Sequence, residues 1–367
     1  MVKPPSASLR AAFEIPSGLT VGIEEEVMLV DAATLDLAPR AGEVLEALGG
    51  DPRFKLEMPA AHLEIVLPPL ASAADVAHAL LAARRDLAAA CEPLGLLVAA
   101  AGVHPFAAPR GPVNGGPRYE SMVAEFGDVA RSQLVCALQV HVAVRPADRA
   151  MAVYNALRPF LPLISALAAN GPIFEGRDTV LASKRPAICE LLPQQGMPPA
   201  LTWDSYAAAA VDPARWWWEL RPHPAHGTLE VRVPDAQATV EEAAAVVGVV
   251  HALVAKLADD AGAPAPASPP SAVGAPAAAD RAAATAALQA DRRVAFQHGL
   301  AGPLGPRVRA LLDDLAPHAE RVRAAIQLES ARALAARGGG AARQRAVFAR
   351  GGARAVVDDL VKRFAQD

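Results

Sequence analysis

The stretch TVGIEEEVM at residues 20–28 is typical of a strand with one apolar face and one acidic face. Side chains alternate along a strand, so Glu24 and Glu26 share one face while Glu25 points to the other. A strand that keeps one polar face favours an antiparallel sheet open on one side, because strands of a doubly wound parallel sheet are apolar on both faces. We therefore predict a sheet whose front is open.

Three further stretches show the same two-faced pattern, with polar side chains on one face of an otherwise apolar strand. They are LEIVL at 63–67 with Glu64, LVCALQVHVAV at 134–144 with Gln139 and His141, and TLEVRV at 228–233 with Glu230 and Arg232. One sheet that contains all four strands would line a cleft with carboxylates, an imidazole and a guanidinium. That combination predicts a site for hard divalent cations and phosphate.

Composition narrows the class of protein. The chain has 367 residues and a net charge of −4 with both signs interspersed, so we expect no nucleic-acid partner. Its three scattered cysteines lack metal-ligand spacing and favour a reducing compartment. Residues 1–18 contain no apolar signal-peptide core, and no apolar run is long enough to span a bilayer. We expect a cytoplasmic protein without a membrane segment.

Helical periodicity alternates with the strands and shows no internal repeat. We predict a flexible tail at 1–18 and a single catalytic domain at 19–367 with a Pro/Ala-rich loop at 261–280. On the first helix, Arg84 is expected to face water. The predicted helices cover 71–91, 149–169 with a break near Pro159 and Pro162, 240–257, 281–297, 308–337 and 353–364.

Several short motifs follow one another along the chain: GIEEE at 22–26, HPF at 104–106, RY at 118–119, CALQVHV at 136–142, ALAANGP at 166–172, RPHP at 221–224 leading into GTLEVR at 227–232, and GAARQR at 340–345. Together they resemble the bacterial glutamate–cysteine ligase family, in its short carboxylate–amine ligase branch. The resemblance covers roughly residues 19–360 and implies the α+β catalytic fold of glutamine synthetase and guanidino kinases: a mainly antiparallel, concave sheet with helices on its back.

The resemblance implies a set of metal ligands and the cofactors ATP and Mg²⁺, with Mn²⁺ as an alternative metal. Taken singly, each glutamate is more simply an exposed residue of an edge strand. Inside this frame they become metal ligands, whose mutual repulsion a divalent cation would relieve. The implied ligands are Glu24, Glu26, Glu57, Glu64, His141 and Glu230.

Catalysis and nucleotide binding are assigned to residues near these ligands. Arg232 shares a strand face with Glu230, where a guanidinium could hold a transferring phosphoryl group. We expect Arg232, Glu230 and Glu64 to be catalytic. The nucleotide is expected to contact His141, Arg232, Arg185 and Arg221. For Arg221, an ion pair with Glu219 on the same face is an equal alternative.

Substrate binding is assigned to Arg118, Tyr119 and Arg185 on the resemblance, although Tyr119 could equally have a packing role. Two departures from the family pattern lie farther along the chain, where Asp291 and Val294 replace the usual Asn and Arg. A missing positive charge there would weaken activity with glutamate and cysteine. Gln139 replaces a usual histidine, which leaves the role of that position open.

The leading hypothesis is an ATP-dependent carboxylate–amine ligase that forms an amide through an acyl phosphate, with a small carboxylate and an amine as substrates. One alternative is phosphoryl transfer that stops before amide formation, as in phosphagen kinases. Another is a non-catalytic family member that binds nucleotide. We further expect a homo-oligomer, specifically a dimer.

Overall fold

A computed structural model describes residues 6–193, 196–209, 217–262 and 278–366 of the chain. The nine strands are β1 (Val21–Asp31), β2 (Phe54–Leu56), β3 (His62–Leu70), β4 (Leu96–Ala99), β5 (Leu138–Ala143), β6 (Ile173–Phe174), β7 (Arg177–Asp178), β8 (Leu220–His223) and β9 (Thr228–Val231) in these described ranges. The α-helices in the same ranges are α1 (Ser6–Glu14), α2 (Ala41–Ala47), α3 (Ala73–Cys91), α4 (Pro117–Phe126), α5 (Asp128–Arg131), α6 (Ala147–Leu157), α7 (Leu161–Ala168), α8 (Arg185–Cys189), α9 (Trp203–Ala209), α10 (Val240–Gly262), α11 (Ala278–His298), α12 (Leu304–Asp314), α13 (Ala316–Arg321), α14 (Ala325–Ala336) and α15 (Gly339–Arg363).

Seven of these strands form one antiparallel sheet, which confirms the predicted α+β class. Its order is β2-β3-β1-β5-β9-β8, and β4 pairs with the far end of β1. The long strand β1 is central because it pairs with β3 along one edge and with β5 and β4 along the other. The two remaining strands, β6 and β7, form a separate hairpin.

The back of the sheet is covered by helices. Helix α10 is apolar on nearly every side and buried along most of its length, since α3, α6 and α14 all pack against it. Small side chains allow this close packing: a Cβ at Gly248 would lie 2.6 Å from that of Gln327. The core is therefore continuous between the sheet and a layer of helices.

One buried ion pair lies behind β1. Glu25 points into the core, and its carboxylate accepts hydrogen bonds from Nε (2.9 Å) and Nη2 (2.6 Å) of Arg84. Both side chains are fully buried. The guanidinium also donates to the carbonyl oxygens of Gln237 and Phe364, each at 2.8 Å, and lies over the Phe364 ring. The expectation that Arg84 faces water is wrong, because a partner charge and carbonyl oxygens replace its hydration.

The expected flexible tail at 1–18 is wrong for the residues that form α1. Leu9 and Phe13, one helical turn apart, are both buried. The Phe13 ring meets that of Trp203 edge-on at 5.0 Å, so an apolar stripe attaches this segment to the fold. The Pro/Ala-rich loop at 261–280 lies mostly outside the described residues, and its two ends belong to α10 and α11.

The expected long helix at 308–337 is divided into α12, α13 and α14. Pro317 lies in the first turn of α13, and Arg323 takes a positive φ of 55° after that helix, so the chain turns twice. The expected terminal helix at 353–364 continues from an earlier helical segment within α15, with a break at Gly352 where φ is 71°. The break near Pro159 and Pro162 is confirmed as the 3₁₀ turn between α6 and α7.

We expect Glu25→Gln to lower the free energy of unfolding by about 3–5 kcal/mol, because it leaves the Arg84 charge buried without its partner. Urea denaturation measures this change. The double variant Glu25→Leu/Arg84→Met should recover part of the loss, since it removes both charges. Glu46→Gln on the exposed face of α2 is the control. A Glu25→Gln loss no larger than that of the control would contradict the assignment.

Candidate active site

The register of the sheet brings the predicted polar residues together. Across β1 and its neighbours, Glu26 lies opposite Glu64 and Glu24 lies opposite Gln139. On the next pair of strands, His141 lies opposite Glu230. Directly opposed residues in an antiparallel pair have neighbouring side chains. The front of the sheet therefore collects side chains that are far apart in sequence.

A cavity of about 380 Å³ lies over this front. It contacts most of the residues predicted from sequence, and it extends from the sheet to α4, α8 and the C-terminal half of α11. His141 and Glu230 are not part of its lining but adjoin Glu24 at its edge. The predicted residues in the lining are Glu24, Glu26, Glu57, Glu64, Arg118, Tyr119, Arg185, Arg221 and Arg232.

The first carboxylate cluster comprises Glu26, Glu57 and Glu64, and one ligand atom from each lies within 4.8 Å of the others. Burial and then the charge of Glu57 raise the pKa of Glu26 to about 7. Burial also raises the pKa of Glu57, and it raises that of Glu64 well above its ordinary value, with the three nearby carboxylates adding to the shift. A divalent cation bound among these oxygens would remove the repulsion, so the donor set fits a hard metal ion.

The second cluster comprises Glu24, His141 and Glu230, with ligand atoms again within 4.8 Å of one another. Nε2 of His141 lies 3.7 Å from Glu24 and 4.0 Å from Glu230. This nitrogen is buried and has no hydrogen-bond partner within the described ranges, whereas Nδ1 lies 3.1 Å from Oγ1 of Thr228. A ring fixed through one nitrogen with the other directed at two carboxylates is the arrangement of a metal-binding histidine.

Two arginines hold Glu230 in its charged form. Burial raises the pKa of Glu230, but the charges of Arg232 and then Arg221 outweigh it, so the net pKa lies well below its ordinary value. Both guanidiniums donate to its carboxylate, Arg221 from the directly opposed position on β8. At Glu24, burial raises the pKa, but the nearby imidazole of His141 outweighs it, so the net pKa is lowered. This second cluster is thus anionic before any cation binds.

The alternative ion pair between Arg221 and Glu219 gives way to other contacts. Arg221 bonds Glu230, and Glu219 accepts a hydrogen bond from Arg292. Since Arg221 and Arg232 both donate hydrogen bonds to the Glu230 carboxylate at the cavity edge, they form a cationic pair at the second cluster.

Of the residues assigned to substrate, two have structural partners within the protein. Arg185 is buried, and its Nε donates to Asp235 at 2.7 Å while Nη2 donates to the Val233 carbonyl at 2.5 Å. The Tyr119 hydroxyl donates to the Leu56 carbonyl at 2.7 Å. Arg118 is exposed and stacks over the Tyr119 ring. All three reach the cavity, and their substrate roles stay predictions.

Sequence reasoning missed Arg292, which lines the cavity and is paired with Glu190 and Glu219. The two departures, in contrast, lie elsewhere: Asp291 pairs with Arg307 at 2.6 Å, and Val294 packs against the core. The premise of a charge missing from the cleft because of Val294 is therefore wrong. Helical periodicity could have identified Arg292 as facing inward, since it shares its helix face with the buried residues 295, 296 and 299.

The sequence leaves the role of Gln139 open, and the structure shows two hydrogen-bond partners for its side chain. Its Nε2 donates to Oε1 of Glu26 at 2.9 Å, and its Oε1 accepts a hydrogen bond from Arg232. The amide thus connects the first carboxylate cluster to the arginine beside the second.

In the described residues, one stretch is long and apolar enough to cross a membrane, Ala147–Ala168, which comprises α6 and α7. Of its most apolar window, 61% is buried inside the fold. It is packed as core helices are.

The chain belongs to glutamate–cysteine ligase family 2, whose family model matches residues 20–362. This is a family of ligases that form C–N bonds. A relative from Rubrobacter xylanophilus, provisionally named glutamate–cysteine ligase 2-3, is 40% identical over 250 residues, covering 64% of this chain and 69% of its own. Another from Saccharopolyspora erythraea, provisionally named glutamate–cysteine ligase 2-1, is 34% identical over 355 residues, covering 90% and 91%.

Two solved structures share the fold. Glutamate–cysteine ligase from Francisella tularensis, solved in complex with AMP, superposes with a TM-score of 0.67 at 13% identity, covering 96% of this chain and 90% of its own. A bifunctional glutathione synthetase from Pasteurella multocida gives 0.60 at 14% identity, covering 98% and 52%. At these identities the likeness establishes the fold alone.

The raised pKa of Glu26 predicts how the stability of the metal-free protein depends on pH. A carboxylate whose pKa rises from 4.5 to about 7 on folding binds extra protons in the folded state, so its contribution to stability is lost as pH rises through that window. The lowered pKa values of Glu24 and Glu230 act below this window. The free energy of unfolding of the metal-free protein should therefore fall as pH rises from 4.5 to about 7.

Because a cation requires the deprotonated carboxylates, Mn²⁺ should raise the melting temperature more at about pH 8 than at about pH 5.5. Scanning fluorimetry with and without Mn²⁺ measures the difference, with KCl at equal ionic strength as control. Glu57→Gln should reduce the Mn²⁺ effect. Equal Mn²⁺ shifts at both pH values would contradict a metal site at the first cluster.

Proposed function

We propose that this protein is an ATP- and Mg²⁺-dependent ligase that joins a small carboxylate to an amine through an acyl phosphate. The observation that carries the proposal is the pair of ligand clusters on one sheet front, with the arginine pair beside them and a cavity of about 380 Å³ over them. Membership of a C–N ligase family supports it. So does the AMP bound by a ligase of the same fold.

The chemistry needs activation because two ions in water do not condense spontaneously to an amide. The substrate carboxylate attacks the γ-phosphate of ATP, which gives an acyl phosphate and ADP. The amine then attacks the activated carbonyl, the amide forms, and phosphate leaves with the bridging oxygen. No cysteine nucleophile is required.

Each part of the site has a role in this scheme. The two clusters would hold divalent cations that neutralise phosphate oxygens. Arg232, fixed by Glu230, places a planar guanidinium where charge develops on the transferring phosphoryl group. Arg221 assists it by sharing the same carboxylate.

Glutamate and cysteine are the first substrate pair to test, since the supposed loss of a cleft arginine at Val294 has no basis in the structure. Among the described residues, six cationic side chains line the cavity and would offer donors to a triphosphate and to substrate carboxylates: Lys55, Arg118, Arg185, Arg221, Arg232 and Arg292. The cytoplasmic location, the dimer and the lack of a nucleic-acid partner stay predictions. Light scattering after size-exclusion chromatography tests the dimer.

The assay follows ADP release and amide formation by mass spectrometry, with glutamate plus cysteine and with a panel of acids and amines. ADP and amide that appear together, and only when both substrates are present, support the ligase. ADP release without amine, together with a stable phosphorylated product, would replace it by phosphoryl transfer. Absence of ADP release across the panel would favour nucleotide binding without catalysis.

We expect Glu24→Gln and Glu230→Gln each to lower turnover at saturating Mg²⁺ by at least about tenfold, because each removes a metal ligand without opening a core cavity. Circular dichroism checks that the fold is kept. Glu46→Gln, exposed on α2, is the matched control. A variant at either position that keeps the rate of the control would remove that residue from the metal set.

Arg232→Lys should be nearly as damaging as Arg232→Ala, since lysine keeps the charge but loses the planar fork. The loss should fall mainly on kcat, as for an interaction made mostly in the transition state. If the whole effect lies instead in the KM for ATP, Arg232 is a ground-state anchor.

A further inference from the structure

The carboxamide of Gln139 lies between two opposite charges at the centre of the site. It is 2% exposed. Its two ends bond Glu26 of the first cluster and Arg232 beside the second. Since Arg232 offers only donors and an ionised Glu26 only acceptors, the orientation of the amide is fixed: the nitrogen faces Glu26 and the oxygen faces Arg232.

Glu26 depends on this contact for its orientation. Its Oε2 accepts a hydrogen bond from the Ala137 backbone at 2.7 Å, and within the described ranges Gln139 is the partner of Oε1. A metal ligand held by a hydrogen bond to each oxygen keeps its remaining lone pairs directed at the cation. Loss of Gln139 would leave the carboxylate held through Oε2 alone.

Arg232 and Glu26 also attract each other: burial lowers the pKa of Arg232, but the charges of Glu230 and then Glu26 outweigh it and raise the pKa. A direct ion pair between them would draw the guanidinium away from Glu230 and cover a metal-ligand oxygen. The neutral amide occupies the path between the two groups and satisfies both.

We propose that Gln139 is a positioning residue, a neutral spacer that keeps Arg232 beside Glu230 and keeps Glu26 available to the cation. The inference rests on the proposed function for its catalytic consequence, but its effect on metal binding does not depend on any reaction. An ionised glutamate at this position would repel Glu26. An imidazole could serve both partners only in its neutral form.

The test compares Gln139→Met, which keeps the length of the side chain and loses both hydrogen bonds, with Gln327→Met. Gln327 is also buried, but it lies on α14 away from the cavity. We expect Gln139→Met to weaken Mn²⁺ binding, measured by titration calorimetry, by about 10–100-fold and to lower kcat by a similar factor with a smaller change in KM. The control should bind Mn²⁺ as the wild type does.

A second arm asks whether Gln139 acts through Arg232. If it does, the double variant Gln139→Met/Arg232→Ala should be little slower than Arg232→Ala alone. Rate losses that multiply, or Mn²⁺ affinity equal to that of Gln327→Met, would overturn the inference. Should the wild type show no turnover, the proposed function fails, and the Mn²⁺ affinities alone then decide the role of Gln139.

Discussion

The buried ion pair between Glu25 and Arg84 is the constraint on which the front of the sheet depends. A shift of β1 by one residue would move Glu25 to the front and turn both of its acidic neighbours into the core. The bidentate contact with Arg84 favours one register, because only that register gives the buried guanidinium its partner. The same guanidinium binds carbonyl oxygens after β9 and at the C-terminal helix, so the back of the sheet and the end of the chain share one fixed point.

The two ligand clusters on the front differ in their electrostatics. Glu230 is compensated by two arginines within the protein, so its cluster is charged and ordered without a cation. In the cluster of Glu26, Glu57 and Glu64, burial outweighs the nearby cationic side chains, so the pKa values of all three carboxylates are raised. Gln139 lies between the two clusters, since it bonds Glu26 of the first and Arg232 beside the second. The second cluster thus offers a metal ion carboxylates that are already charged, whereas the first must release protons when an ion binds.

Much of this arrangement follows from the sequence, because alternation along a strand assigns faces without knowledge of the fold. Glu24, Glu26, Glu64, His141 and Glu230 were all assigned to the front in this way, and they lie there. What alternation cannot supply is the partner across a strand or a layer. The buried position of Arg84 was missed for that reason, because a charged residue on an amphipathic helix is ordinarily solvated.

The errors around α11 have the same origin. A comparison of motifs drew attention to Asp291 and Val294 as departures from a pattern, yet the helix turns both away from the cavity. It turns Arg292 inward instead, where two carboxylates compensate its burial. Gln139 also looked like the loss of a histidine. Only the neighbouring strands show that an amide can serve a carboxylate and a guanidinium at once.

The central claim is that two divalent cations occupy the two clusters on the sheet front. Anomalous diffraction from a crystal grown with Mn²⁺ and a non-hydrolysable ATP analogue tests it most directly. The account predicts one peak coordinated by Glu26, Glu57 and Glu64, a second coordinated by Glu24, His141 and Glu230, and analogue phosphates bridging toward Arg232. Anomalous peaks outside both clusters, or phosphates bound without Mn²⁺ at either, would contradict it.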